Sequence, residues 1–460
     1  MAISPKLPKG TRDFSPKVVF RRRYIMNIIE KEFSLMGYQP IATPSFELVS
    51  TLLDNYGDEG EKLLFRILNS GDKIKKADID SFHNADFKKF VDSLSDKALR
   101  YDLTVPFSRY VAQNQNDISF PFKRYQIQPV WRADRPQKGR FQEFYQCDAD
   151  VVGTKSLWHE IELIQLYDCI FTELKLPSVR LIINHRKIIE AIIKKMEINK
   201  KANNFITILD KLDKISWEEA EKELTQIGLT KEKCELLLKI KDESNLKNRL
   251  DFLGTEELNE GVTDLRFIEN FFDKKILKNI QIEFNPTLAR GLSYYTGTIF
   301  EVLPPQEFID LKGQIGSIGG GGRYDGLLDR FGMKNISGVG MSFGFERLYM
   351  VLEELNLFPN TIEKNTQIMF INFGEEYILN SWEYIQKIRD LGVRCELYPT
   401  NAKIKKQIQY INQRNIPYAI LIGEEEIKEK KFIFKNMEKK EQKTYLLKDL
   451  SEIIENTILF

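Results

Sequence analysis

Apolar residues recur at helical spacing through Ile25, Ile28, Ile29, Phe33 and Met36, until Gly37 ends the run. Phe14-Ser15-Pro16 marks the start of this helix, with Ser15 as N-cap, Pro16 at the first helical position and Phe14 placed to staple against Val19. The next segment, YQPIATPSFE, is extended, and Pro40 and Pro44 restrict it to an edge or irregular strand because each lacks a ladder donor. On pattern alone the helix and strand read first as core packing, with a dimer-forming edge as the alternative. Residues 60–98 are mixed and polar around a strand at LLFRILN. LRYDLTVPFSRYVAQN then predicts an extended run from Leu99 to Thr104, a helix start at Pro106 and a helix end near Asn114 to Asn116. In that extended run Asp102 and Thr104 share strand parity and project from one face.

Between Phe122 and Asp150 the pattern is that of a long hairpin. Strands Lys123–Trp131 and Arg140–Gln146 are joined by a loop from Arg132 to Gly139, longer than a tight turn requires. A helix over Thr154–Leu174 and a strand at LPSVRLIINH follow. From about Lys187 to Leu277 glycine becomes scarce and amphipathic helical stretches succeed one another, which reads as a helical insertion. Strands resume with Ile282 and Phe284, and again from Thr298 to Val302. Gly319 to Gly322 allow close backbone approach to a ligand. Alternation of Val339, Met341 and Phe343 predicts another strand, and Phe345–Leu355 a helix with Arg347 in its first turn. Beyond a linker at Leu357–Thr366, strand and helix alternate to the end, predicting a small α/β domain with a largely parallel sheet.

Composition narrows the possible partners. At 460 residues the chain can hold two or three domains with separate cores. Net charge is +1 from 68 basic and 67 acidic side chains, so any polyanion must be met by a local patch. One patch is the hairpin loop, which carries Arg132, Arg135, Lys138 and Arg140 within nine residues. It is either a phosphate-facing device or a solvated charged loop. A second lies in the last domain, at Lys403, Lys405, Lys406 and the segment from Lys428 to Lys443, where nucleic acid and solubility are both adequate reasons. Cys147, Cys169, Cys234 and Cys395 have neither CxxC spacing nor a nearby histidine pair, which disfavours a disulfide framework and a zinc site. The N-terminus lacks an apolar signal core, and no apolar run approaches the length of about 18 residues that a membrane span needs. A soluble cytoplasmic protein is expected, with no membrane partner and no protein-held metal.

The candidate chemistry is that of oxyanions. Arg132, Arg290 and Arg347 stand beside glycine-rich strands or the basic hairpin, and arginine suits planar or multiply charged oxyanions. Asp102, Thr104, Asp150, Tyr295 and Tyr324 supply hydrogen-bonding groups from separate segments; a carboxylate and a hydroxyl on one face suit an ammonium group, although a solvent-facing strand has the same pattern. His83, His159 and His185 lie outside these segments, so a covalent triad is disfavoured. No Gly-Lys-Ser/Thr follows the glycine run, and Gly338, Gly340 and Gly344 fall within a strand, so neither a P-loop nor a dinucleotide fingerprint fits. What remains is catalysis by positioning and charge neutralisation, as transfer at a nucleotide phosphate demands.

These segments resemble the signature motifs of class II aminoacyl-tRNA synthetases. The N-terminal helix with IATPSFE resembles motif 1, WRADRPQKGRFQEFYQCDAD motif 2 and GVGMSFGFERL motif 3. ARGLSYYTGTIFEV and GGGGRYDGL are similar to the two histidine-specific motifs of histidyl-tRNA synthetases, LRYDLTVPFSRYVA to the strand beside their amino-acid pocket, and the tail to their anticodon-binding domain. The resemblance implies an α+β catalytic domain with a mostly antiparallel sheet, in residues 1–186 and 278–356. A helical insertion at 187–277 interrupts it, and a linker, 357–366, leads to an α/β anticodon-binding domain at 367–460.

It also implies an activity, the ATP-dependent ligation of histidine to tRNA(His) through a histidyl-adenylate, with Mg²⁺ accompanying the ATP. Arg132 would bind the α-phosphate, with Arg290 opposite it as the second catalytic arginine and also near the histidine. Arg347 would hold the γ-phosphate, Arg140 would assist in ATP binding, and Glu143 and Phe144 would flank the adenine. Asp102, Thr104 and Gln146 would hold the histidine amino group, Asp150 and Tyr295 would bracket its imidazole, and Tyr324 would help close the pocket. Arg135, Gln137 and Lys138 would face the tRNA acceptor end, and the N-terminal helix with the motif 1 strand would form a homodimer interface. Ser293 stands where family members more often carry an acidic residue, and Asp102 and Asp150 are one methylene shorter than the usual glutamates. The alternative is a non-catalytic paralogue that binds histidine or tRNA for regulation; it would be expected to lose the phosphate-binding arginines or the C-terminal domain, and both are retained.

Overall fold

A computed structural model describes residues 4–53, 62–209, 211–212, 215–242, 256–274, 277–289, 294–359, 362 and 366–459. The chain divides into two compact units, Met1–Phe358 and Pro359–Phe460. In the first, the helix Pro16–Leu35 begins after Ser15, whose backbone is extended but whose side chain makes no capping bond, so proline geometry sets the start. Its buried residues Ile25, Ile28, Ile29 and Phe33 form one stripe.

The strands of this unit are β1 (Gln39–Pro40), β2 (Phe46–Leu48), β3 (Arg66–Ile67), β4 (Lys97–Leu99), β5 (Phe122–Trp131), β6 (Glu143–Val152), β7 (Val179–His185), β8 (Ile280–Phe284), β9 (Thr298–Val302), β10 (Gly319–Tyr324) and β11 (Gly338–Gly344). Among the described residues, eight pair in the order β1-β5-β6-β11-β10-β9-β7-β8. The interior pairings are antiparallel, and only the outer pairs β1–β5 and β7–β8 are parallel. Pro40 lies on edge strand β1, where its missing N–H breaks no inner ladder. β2, β4 and β3 form a separate small sheet.

Aromatic packing anchors the sheet centre. Phe343 of β11 lies 4.9 Å from the Tyr167 ring, 5.7 Å from Phe171 and 6.3 Å from Phe33, which joins it to the helices Trp158–Glu173 and Pro16–Leu35. The Tyr167 hydroxyl donates to Ser342 O at 2.9 Å, and a Cβ added at Gly319 would lie 2.8 Å from the same ring. Glycine at 319 is thus required by a packed phenol. Helices at Arg186–Met196, Ala202–Leu209, Trp217–Gln226, Lys231–Asp242 and Glu256–Phe272 lie between β7 and β8 in the chain.

Several boundaries depart from the pattern. The extended run after Leu99 stops there, and Thr104 opens a helix to Gln113. Pro106 fits its first turn, and Asp102 Oδ1 accepts the Val105 N–H at 3.2 Å. Asp102 and Thr104 therefore do not share a strand face. The second hairpin strand begins at Glu143 rather than Arg140, because Gln137 and Arg140 pair with each other across a turn in which Gly139 has φ 73°, and it runs on past Gln146 to Val152, paired on both sides. The helix expected from Thr154 begins at Trp158, since Thr154 and Ser156 hydroxyls accept the Ser156 and Trp158 N–H groups in local turns.

In the second unit, β12 (Ile368–Phe370), β13 (Cys395–Leu397), β14 (Tyr418–Leu421), β15 (Lys431–Asn436) and β16 (Glu441–Leu446) pair in the order β13-β12-β14-β15-β16. The first three are parallel and the hairpin adds two antiparallel pairings. Ile368, Phe370 and Ile420 point into one core cluster, and Met369 and Ala419 into another, as strand alternation requires. Lys403, Lys405 and Lys406 are exposed.

The first unit also buries an ion pair. Glu160 takes two 2.6 Å bonds from Arg323 and a third from Thr298 Oγ1 at 2.9 Å. Glu160→Ala leaves the Arg323 charge stranded. The expected loss, about 3–5 kcal/mol in denaturant unfolding, exceeds that of an exposed pair such as Lys75–Asp72.

Candidate active site

Strand register sets the floor of a cavity of about 490 Å³. Asp150 lies opposite Arg124 on β5 and Gly340 on β11; Asp148 lies opposite Gln126 and Ser342; Gln146 lies opposite Gln128 and Gly344. Cross-strand partners project to the same side, so these residues share one face. Glycine is obligatory at 340: a Cβ there would sit 1.9 Å from Asp150 Oδ1.

One end of the cavity is acidic. Asp102, Asp148 and Asp150 are each at most 2% exposed. Arg124, fully buried, places Nη2 2.7 Å from Asp150 Oδ2, and its guanidinium carbon lies 4.3 Å from the Phe107 ring. The Tyr324 hydroxyl donates to Asp150 Oδ1 at 2.5 Å. Burial pushes Asp150 above the ordinary carboxylate range, although Arg124 and Tyr324 pull it back. For Asp148, burial outweighs the Arg124 charge and, with the push of Asp150, raises it to about 7. Gln146 Nε2 donates to Ser342 Oγ at 3.1 Å, and its Oε1 is buried with no hydrogen-bond partner among the described residues. Thr104 and Tyr295 line the same end, with the Tyr295 ring 4.8 Å from that of Tyr294.

Along β6 the wall changes from Asp150 through Asp148 and Gln146 to Phe144, and the far end is basic. Arg132, Arg140 and Arg347 line it. Arg132 Nε donates to Tyr101 O at 3.1 Å, and its guanidinium packs 4.3 Å from the Tyr101 ring and 5.1 Å from Phe144. Arg347 Nη1 donates to Ser317 O at 2.9 Å. Its side chain passes between Gly139 and Gly316, where added Cβ atoms would approach to 3.2 and 2.9 Å. The arrangement can hold an organic cation at one end and a polyphosphate at the other.

Residues 74–348 match the family model described as histidyl-tRNA synthetase, and residues 367–457 match that of an anticodon binding domain. The chain belongs to the histidyl-tRNA synthetase family. A histidine–tRNA ligase of Christiangramia forsetii is 51% identical over 448 residues, covering 96% of this chain and 97% of the relative. One from Bacteroides fragilis is 47% identical over 459 residues, covering 98% and 99%. The crystal structure of a histidyl-tRNA synthetase from Nostoc sp. PCC 7120 aligns over 99% of this chain and 100% of that one, with a TM-score of 0.79 at 25% identity.

Seen as a member of that family, the chain brings together Asp102, Thr104, Arg132, Arg140, Phe144, Gln146, Asp150, Tyr295, Tyr324 and Arg347, all of which line the cavity. Glu143 is not in this wall; it accepts from Trp131 Nε1 at 3.1 Å on an exposed rim. Arg135, Gln137 and Lys138 are exposed on the hairpin loop. Arg290 and Ser293 lie outside the described residues. The segment before them is tied down by Asn184, whose Nδ2 donates to Pro286 O and Leu288 O at 3.0 and 2.9 Å.

Sequence reasoning missed Asp148, Arg124 and Ser342. The alternation in QCDAD already places Asp148 with Gln146 and Asp150. Arg124 needed the cross-strand register, which pattern does not supply.

Asp148 predicts an inverted pH dependence. Its folded value of about 7 lies above the ordinary 3.8, so the folded state holds a proton that the unfolded state has lost. This contribution is full at low pH and disappears as pH rises through about 7. Asp148→Asn, measured against the unmodified protein by thermal unfolding, is expected to gain about 2–4 °C more at pH 8 than at pH 5. An equal difference at both pH values would contradict the assignment.

Proposed function

We propose that this pocket activates histidine with ATP to give histidyl-adenylate and pyrophosphate, and then passes the histidyl group to the 3′ hydroxyl of the terminal adenosine of tRNA(His). The observation that carries the reading is the charge separation along one cleft, with carboxylates at one end and guanidiniums at the other. An amino acid and a triphosphate, bound end to end, meet both demands.

Each residue has a chemical task in this reading. Asp102, Thr104 and Gln146 receive the ammonium group, and the buried Gln146 Oε1 is an acceptor suited to it. Asp148 joins them, because an ammonium beside it draws its carboxyl toward the ionised form. Asp150 and Tyr295 address the two imidazole nitrogens, with Tyr324 fixing the Asp150 carboxylate. A pocket of buried hydrogen-bonding groups rejects phenylalanine by factors of roughly 10⁴, since it leaves them unpaired. Arg132 and Arg290 neutralise the α-phosphate as the histidine carboxylate attacks, Arg347 and Arg140 hold the outer phosphates, and Phe144 stacks on the adenine. Magnesium accompanies the triphosphate, bound by phosphate oxygens more than by protein. Arg135, Gln137 and Lys138 meet the acceptor end of tRNA, the second unit meets its anticodon, and the N-terminal helix with the motif 1 segment IATPSFE forms a homodimer contact.

The test is pyrophosphate exchange into ATP by the purified protein. Exchange is expected with histidine and not with the other amino acids; no exchange with histidine, or equal exchange with others, sinks the proposal. Arg290→Ala is expected to slow single-turnover adenylation by about 10² or more while leaving histidine affinity within a few-fold. A variant with normal single-turnover adenylation would remove Arg290 from the reaction.

A further inference from the structure

The segment ahead of the first helix reaches both walls of the basic end of the cavity. Gly10 O accepts the Gln142 N–H at 2.9 Å, and Gly10 has φ 80°; a Cβ there would lie 2.5 Å from Gln142 Cγ. Gln142 in turn accepts the Arg132 N–H at 2.9 Å through its carbonyl, so the hairpin is bonded to the strap at the residue that aligns Arg132. Two residues on, the Arg12 guanidinium lies 3.3 Å from the centre of the Phe141 ring, in cation–π contact, and Nη2 donates to Glu346 Oε2. Phe141 and Glu346 both line the cavity, and Glu346 directly precedes Arg347.

Glu346 is the meeting point. Arg22, from the helix Pro16–Leu35, donates to it through both terminal nitrogens, at 2.7 and 2.9 Å. Phe14 lies under the Arg22 guanidinium at 4.2 Å and beside that of Arg12 at 4.9 Å. Burial opposes ionisation of Glu346, but the Arg22 and Arg12 bonds and charges outweigh it and hold the carboxyl below its ordinary range. A buried carboxylate gripped from two sides has little freedom, and neither does the first turn of the helix that presents Arg347.

We propose that Arg12 is a positioning residue for the adenylation reaction, clamping the basic hairpin through Phe141 and the Arg347 helix through Glu346. Its role rests on the function proposed above. Without Arg12 the two phosphate-binding walls lose a shared tie, and Arg132 and Arg347 sample misaligned states. Arg22 still neutralises Glu346, so the fold persists. The cost falls on ATP binding and turnover, because the histidine end takes its side chains from β6, β10 and the start of the helix Thr104–Gln113, whereas the bonds of Arg12 go to Phe141 and Glu346 at the basic end.

The test compares the unmodified protein with Arg12→Ala and Arg12→Lys, using histidine-dependent pyrophosphate exchange, amide hydrogen exchange and thermal unfolding. Arg12→Ala is expected to lower kcat/KM for ATP roughly tenfold while KM for histidine stays within about twofold. Amide exchange should accelerate in residues 137–143 and be unchanged in β7, and the unfolding temperature should move by no more than about 2 °C. Arg12→Lys keeps the charge opposite Glu346 and is expected to recover part of the loss. Normal ATP kinetics with normal exchange at 137–143 would overturn the proposal. So would exchange that accelerates equally in β7, with activity falling only as folded protein is lost. If the unmodified protein shows no histidine-dependent exchange, the proposed function fails, and the hydrogen-exchange comparison alone still decides whether Arg12 holds the hairpin.

Discussion

Carboxylates gathered inside a protein must be answered by a cation. Asp102, Asp148 and Asp150 are almost wholly buried, and stripping an ion of water costs several kcal/mol even after relaxation. Arg124, directly across the β5–β6 ladder from Asp150, answers part of this, and Tyr324 answers another part with a hydrogen bond. Asp148 is left so poorly compensated that it is raised to about 7. In the proposed function this remaining deficit is what the ammonium group of histidine answers.

The rest of the catalytic unit is arranged to keep that cluster in register. A side chain at Gly340 would collide with Asp150, and one at Gly319 with Tyr167. Tyr167 and Phe343 then join the back of the sheet to the two long helices. On the open face, the floor passes from acidic to neutral to aromatic along a single strand, and basic side chains close its far end. A one-residue slip of β6 would send every one of these groups into the core.

Much of this was legible beforehand. The long hairpin, the strand at Gly338–Gly344 and the placement of Arg347 in a first turn followed from period and glycine pattern, and Pro40 marked an edge. Asp102 and Thr104 were paired for the wrong reason: both line the cavity, but through a helix start and the position two residues before it, because a proline two residues on suits a first turn better than a strand. Arg124, Arg22 and Glu346 were illegible because their roles depend on partners brought close by register or by packing across more than 300 residues of chain. A charge in a sequence does not say which charge it will meet.

The claim that carboxylates at the inner end create a site for an ammonium group is tested most directly by calorimetric binding of histidine, histidinol and imidazolepropionate in the absence of ATP. Histidinol lacks the carboxylate but keeps the ammonium and imidazole, so it should bind within about tenfold of histidine, whereas imidazolepropionate, which lacks the ammonium, should bind at least about tenfold more weakly than histidinol. Equal or tighter binding of imidazolepropionate would mean that the acidic end does not recognise the amino group, and the account of the pocket would fall.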